Sequence, residues 1–329
     1  MGIFDTDRIY FRCRNYGRVN SSMGTQMKIA FFSEIGNNQK YTRDFPNQRT
    51  EISWCLALDA PMCALDVLPD GHFDLGIVIV PKTNPNVNLD FIRKCCDKVA
   101  VMQEGPHWYF QDYEIVKQFH YYNTLRNADW VYCHNESDAK YYLGLGCKDV
   151  RVMRSLMIPH NLLPRSEWRD ATMIGCNFVS WYGGFDCYIV AREIDAPIYA
   201  PSMGRKQKQE DSIEDIQYLP YMSWRDWIDA LSDFNIGVHL MRTHAAGTFA
   251  MNCGFHGIPC IGYKGLDTQE ILHPLTSVEI GDLELAIEMA GRLKNDKKFY
   301  DLCSEKSLKR FKSHYTEKAW KENWEKTNE

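Results

Sequence analysis

The sequence predicts an α/β protein made of two facing Rossmann-like halves, each a parallel sheet wrapped by helices. Three observations carry this. Short apolar runs alternate with helical stretches between residues 27 and 157, and the alternation starts again beyond a proline-punctuated crossing at 158–164. The chain then closes on an amphipathic, Lys- and Glu-rich segment, 282–326. With 329 residues, 45% hydrophobic and 25% charged, the chain is long enough for two domains with separate cores.

Element by element, residues 27–33 (MKIAFFS) form an apolar run ending in polar residues, as a buried parallel strand does where it feeds a loop. A helix is expected over 49–60, with Ile52, Leu56 and Leu58 inward, followed by apolar segments at 63–68 and 75–80. Residues 89–96 read as a helix, 99–102 as a strand, 112–126 as a helix and 130–133 as a strand. Residues 150–153 lead into the crossing. Beyond it, strands are expected at 177–181, 197–200, 216–219, 236–240 and 259–263. Helices at 223–232, capped by Ser223, and at 249–256 separate them. The domains are therefore drawn as a basic and aromatic leader, 1–26, a first Rossmann-like domain, 27–157, a second, 158–312, and a final helix, 313–329, returning to the first.

Composition narrows the function. The net charge of -5 means that a nucleic-acid partner would be held by a local basic surface. Twelve cysteines without a C-x-x-C pair read as buried thiols in a reducing compartment. No apolar run spans a bilayer and no secretion signal opens the chain, so no membrane partner is expected and the location is read as cytoplasmic, or host-cytoplasmic for a viral protein. In the leader, Arg8, Arg12, Arg14 and Arg18 interleave with Tyr10, Phe11 and Tyr16, which fits either a solvated tail or an arm touching a polyanion.

The segment 237–263 (GVHLMRTHAAGTFAMNCGFHGIPCIGY) is the most informative. A strand ends in Arg242 and His244, and a helix opens at Gly247 and Thr248. Bare amides at a helix N-terminus suit a diphosphate, while an ordinary tight turn has the same residues. Neither G-x-G-x-x-G nor the P-loop pattern is present. The one D-x-D triplet, Asp5-Thr6-Asp7, falls in the leader, away from the expected strand ends, so no metal is implied.

The segment resembles the donor-binding domain of GT-B glycosyltransferases. Their pattern places an acidic residue, a glycine three positions on, a second acidic residue eight positions after the first, then Gly-x-Pro. Here His244, Gly247, Asn252, Gly257, Ile258 and Pro259 stand there, so both acidic positions are changed. The resemblance implies a nucleoside-diphosphate sugar donor, a UDP-sugar foremost. Gly183 and Gly184 would form the turn facing the diphosphate, Arg205, Lys206 and Arg242 would neutralise it, and Tyr221 would stack on the base. It also implies a last helix crossing back to the first domain, with Trp320 and Trp324 packing there.

Catalytic candidates are Glu104 and His107, after the 99–102 strand, and His134, after the 130–133 strand. Asn47, Arg49, Glu51 and Trp108 are candidates for the acceptor; capping and solubility are alternatives for Arg49 and Glu51. The first half is loosely similar to phage-encoded DNA glycosyltransferases, which implies a hydroxymethylated pyrimidine in double-stranded DNA as acceptor. A duplex would then meet Arg43, Lys82 and Arg126 beside the leader, with Trp108 or Tyr109 next to an extruded base. A nucleotide-sugar epimerase, a transferase acting on small molecules or glycans, and a non-catalytic sugar- or nucleic-acid-binding protein are the alternatives.

Overall fold

The computed structural model describes residues 27–48, 50–103, 105–159, 162, 170–178, 182–201, 210 and 212–329. The leader, the basic stretch 202–208, Arg49 and Glu104 lie outside these residues.

The first sheet has seven strands: β1 (Ile29–Ser33), β2 (Gln39–Lys40), β3 (Pro61–Ala64), β4 (Phe73–Ile79), β5 (Cys96–Met102), β6 (Trp130–Cys133) and β7 (Val150–Val152). Their spatial order is β2-β3-β1-β4-β5-β6-β7, parallel except for the short β2 edge. Helices α1 (Thr50–Leu58), α2 (Leu89–Ile92), α3 (Ile115–Asn127) and α4 (Glu136–Gly144) make the crossovers. The second sheet contains β8 (Thr172–Ile174), β9 (Ile198–Pro201), β10 (Ile216–Leu219), β11 (Ile236–His239), β12 (Cys260–Tyr263) and β13 (Ser277–Val278), in the order β10-β9-β8-β11-β12-β13. Around it lie α5 (Gly184–Arg192), α6 (Trp224–Leu231), α7 (Thr248–His256), α8 (Asp267–Leu272), α9 (Leu283–Asn295) and α10 (Lys297–His314).

Both faces of the first sheet are covered, which is why its strands read as unbroken apolar runs. Val99, Val101 and Val131 pack against Phe110, Tyr121 and Leu125 on one side. On the other, Ala100, Met102 and Tyr132 meet Trp54 of α1. The last helix, α11 (Glu317–Asn328), closes that second side with Trp320 and Trp324, whose rings stack on each other 5.5 Å apart. A chain end that leaves the second domain thus completes the first domain's core, as the sequence predicts.

Two expectations are corrected. The strand opening the second sheet is Thr172–Ile174, and described residues 177 and 178 are not strand. The ladder ends at Gly175, whose N–H still reaches Val238 O at 2.8 Å, so residues 177 and 178 come after the last ladder bond. Residues 89–96 supply a single helical turn, because the Cys96 end is taken into β5 by pairing with Phe73. The amphipathic segment 282–326 divides into three helices, with Asp296 capping Phe299 N and Thr316 capping Ala319 N at the breaks.

Each sheet has one place where strand order reverses. In the first it lies between β1 and β4; in the second, between β8 and β11. Open parallel sheets hold their ligands outside the carboxyl ends of the strands at such switch points.

Candidate active site

At the second switch point the loops after β8 and β11 each end on a glycine-capped helix. Gly183, with φ of 68°, stands before α5, and Gly247, with φ of 66°, before α7. Neither cap position supplies a side chain to the helix amides, so the first-turn N–H groups of both helices are open to an anion. These positions need glycine for space as well as for φ. A Cβ on Gly183 would overlap Leu240 O at the end of β11, and one on Gly247 would overlap Thr268 Oγ1. The first of those contacts sets the Gly183 turn against the carboxyl end of β11. Gly184 is equally confined, its Cβ position falling on Asn177 O.

Beside the α7 terminus is a cavity of about 180 Å³, lined by Gly175, Pro201, Tyr221, Trp227, Thr248 and Asn252 among others. The structure thereby brings together Tyr221, Thr248 and Asn252 from separate elements. Tyr221 is 78% exposed, with its ring at the wall. Asn252 is 3% exposed, and its Oδ1 has no hydrogen-bond partner among the described residues. A buried carboxamide left unsatisfied is costly unless a ligand completes it. Arg242, after β11, is tied to Asp186 in the first turn of α5 at 3.0 Å, and Tyr263 donates to the same carboxylate at 3.0 Å. The Asp186 hydrogen bond raises the Arg242 pKa above its ordinary value.

The first domain meets this loop through the start of α4. Asn135 is 1% exposed, and its Nδ2 donates to Ala245 O at 2.9 Å and to Asp138 Oδ2 at 3.1 Å. Its Oδ1 accepts from Asp267 N at 3.0 Å, so one carboxamide joins both domains. Ser155 donates to Ala246 O. Ser137 gives its one proton to Gly265 O at 3.2 Å, so at 2.7 Å it accepts from His244 Nδ1, which fixes that ring's tautomer. Burial lowers the His244 pKa, keeping the ring neutral at neutral pH. His244 thus directs its hydrogen bond across the domain junction.

His107 stands on the loop after β5, and Asp138 Oδ1 holds its Nδ1 at 2.9 Å. A carboxylate accepts that Nδ1 proton and leaves Nε2 as a proton acceptor. His134 is buried, its Nδ1 lies 3.1 Å from Met153 O, and its ring lies edge-on to Trp54 at 5.7 Å. Glu51 is buried in the first turn of α1, and Asn47 is half-buried in the loop before it. Trp108 is half-buried at the start of a short 3-10 turn, Tyr109–Asp112. Glu104, Arg49, Arg205 and Lys206 lie outside the described residues. Among the described residues no group of His, Cys, Asp and Glu is arranged to hold a metal ion, every cysteine is an unpaired buried thiol, and no helix is long and apolar enough to cross a membrane.

Asp138, and the bridging part played by Asn135 beside His134, were not foreseen from the sequence. Their signal is Asn-x-x-Asp directly after an apolar strand, the composition of a helix start. Which other residues such side chains would reach is not written there.

No protein-family model matches the chain, and no curated protein matches it. Solved structures do. A sucrose-phosphate synthase from Thermosynechococcus elongatus superposes with a TM-score of 0.65 at 10% identity, covering 91% of this chain and 98% of that one. Anabaena HepE, in complex with UDP and glucose, gives 0.62 at 9% identity over 92% of this chain and 99% of that one. An alpha-glucosyltransferase in complex with UDP and a 13-mer DNA containing an HMU base gives 0.59 at 15% identity, covering 92% and 99%. Two parallel-sheet domains, facing glycine turns and a returning last helix give the chain the GT-B fold that these proteins share.

Proposed function

We propose that the chain transfers a sugar from a nucleoside-diphosphate sugar, a UDP-sugar, to an acceptor hydroxyl. The observation supporting this is the pair of uncapped glycine-led helix N-termini at the second switch point, next to a cavity holding the unpartnered Asn252. The diphosphate sits on the amides of Gly184 and Thr248 and their neighbours, with Arg242 near it and with Arg205 and Lys206, a few positions beyond β9 in the sequence, as further cation candidates. Tyr221 stacks on the base and Asn252 meets the ribose.

In the reaction the bond from the anomeric carbon to the diphosphate breaks, and the leaving group keeps the electron pair. The fixed amides stabilise that developing charge. The acceptor oxygen bonds to the anomeric carbon and gives its proton to His107 Nε2, with Asp138 holding the ring. Glu104 and His134 are the other proton-handling candidates, and Asn47, Arg49, Glu51 and Trp108 remain assigned to the acceptor. His107→Gln is expected to lower kcat by about 100-fold or more.

For the acceptor we infer a 5-hydroxymethylpyrimidine in DNA. What favours it is the likeness, over 92% of this chain, to an alpha-glucosyltransferase in complex with HMU-containing DNA. Arg43, Lys82 and Arg126 lie on the first domain, although Arg43 is engaged by Glu317 through two 2.8 Å contacts. A glycan or small-molecule acceptor is the second reading, favoured by the likeness to the sucrose-phosphate synthase. The test is a donor screen against hydroxymethylated DNA, ordinary DNA and small glycosides, read by mass spectrometry beside calorimetry of UDP. A mass increment on hydroxymethylated DNA alone is expected. Absence of UDP binding overturns the donor reading, free epimer from donor alone identifies an epimerase, and binding without turnover identifies a non-catalytic protein.

A further inference from the structure

A second cavity, of about 550 Å³, lies wholly in the first domain, between α3, α4 and the loop after β5. This is within the size range of small-ligand sites. Its walls are mostly rings: Phe110, Phe119, Tyr122 and Tyr141, with His107 among them. Phe119 is 61% exposed, an aromatic face that the fold leaves in water. The His107 ring lies 4.1 Å from that of Tyr141, while Asp138 occupies its Nδ1, so the remaining nitrogen belongs to a wall of the groove.

The polar atoms of the lining are specific. Gln118 spends its Nε2 on Gln111 O at 3.0 Å and Tyr113 O at 2.7 Å, leaving Oε1 as an acceptor. Gln111 spends its Nε2 on Tyr141 OH at 3.2 Å, again leaving an oxygen. Among the described residues no lysine, arginine, aspartate or glutamate lines the groove. A charged ligand would lose its hydration there without compensation, whereas a neutral ring gains stacking and hydrogen bonds to carboxamide oxygens.

We propose that this groove is the ring site of the acceptor: it takes a neutral ring bearing the hydroxyl that receives the sugar, and His107 Nε2 at its wall accepts the proton. The assignment rests on the sugar-transfer reading above. Flat-faced rings of two kinds share this chemistry, a pyrimidine and a pyranose, and the test separates them.

The full chain is titrated with 5-hydroxymethyldeoxyuridine and with a methyl hexoside, each with and without saturating UDP, and binding is followed by saturation-transfer NMR. One of the two rings is expected to bind. Phe119→Ala and Tyr122→Ala are expected to weaken that ring about five- to tenfold while UDP affinity stays at the wild-type value. Leu302→Ala, a change at another exposed apolar residue, on α10, is expected to leave ring binding unaltered. If neither ring binds the wild-type chain, or if both groove variants bind it as wild type does, the proposal is overturned. Failure of UDP alone to bind instead sinks the donor reading, and the titrations without UDP still decide the groove.

Discussion

The carboxyl edges of the two sheets are furnished differently. At the switch point of the second, the backbone is what is presented: Gly183 and Gly247 hold left-handed turns, and no cap side chain competes for the helix amides. Along the edge of the first, side chains take that place: Asn88 caps α2 after β4, Asn135 after β6 reaches three groups, and Asp138 orients His107 after β5. A strongly charged, chemically constant ligand is suited to amides, which need no particular side chain. A variable acceptor and a moving proton call for side chains.

The largest effect expected from breaking this contrast is at Gly247. Gly247→Val places a β-branched residue at φ of 66° and drives its Cβ into Thr268 Oγ1. Strain of about 1–3 kcal/mol and loss of UDP binding by calorimetry are expected. Retained UDP affinity would mean that the diphosphate does not use this turn. Next comes Asp138→Asn, which leaves the shape but removes the carboxylate that sets the His107 tautomer. A fall in kcat of about 100-fold with unchanged UDP affinity is expected, and a fall in UDP affinity instead would place Asp138 with the donor.

The junction between the regions provides a pH-dependent test. Burial raises the Asp267 carboxyl from 3.8 to about 6, only partly offset by Arg154. The folded chain therefore holds this proton more tightly than the unfolded chain does. Folding takes up a proton in the window between those two values, so this group's contribution is most favourable below it and declines as pH rises through about 6. In urea denaturation, wild type relative to Asp267→Asn is expected to lose about 2 kcal/mol between about pH 4 and about pH 7. A flat difference would show Asp267 to be solvated. The smallest effect is expected at Tyr221→Ala, where loss of a stacking face at an exposed wall should weaken UDP about fivefold without changing the melting temperature.

The single helical turn at Leu89–Ile92 and the misplaced strand show how local the sequence signal is. Residues 130–133 and 216–219 were legible to the residue because each is a short run rich in aromatic and β-branched side chains. Ser223 was legible as a cap because its partner, Asp226 N, is three residues away. Thr172–Ile174 was not, because its pairing partners, Ile198 and Ile236, lie far along the chain.

The sequence by itself determined the alternation of strand and helix, the two-domain plan, the glycines that open α5 and α7, and the tryptophans of the last helix. These follow from periodicity and from backbone conformations that few residues adopt. Tertiary structure alone decided that Asn135 meets Ala245 and Asp267, that Asp138 faces His107, and that α3 and α4 enclose an aromatic groove. Such contacts join residues separated by about a hundred positions or more, or by a helix packing that no local pattern encodes, so they exist only once the sheets have placed their loops side by side.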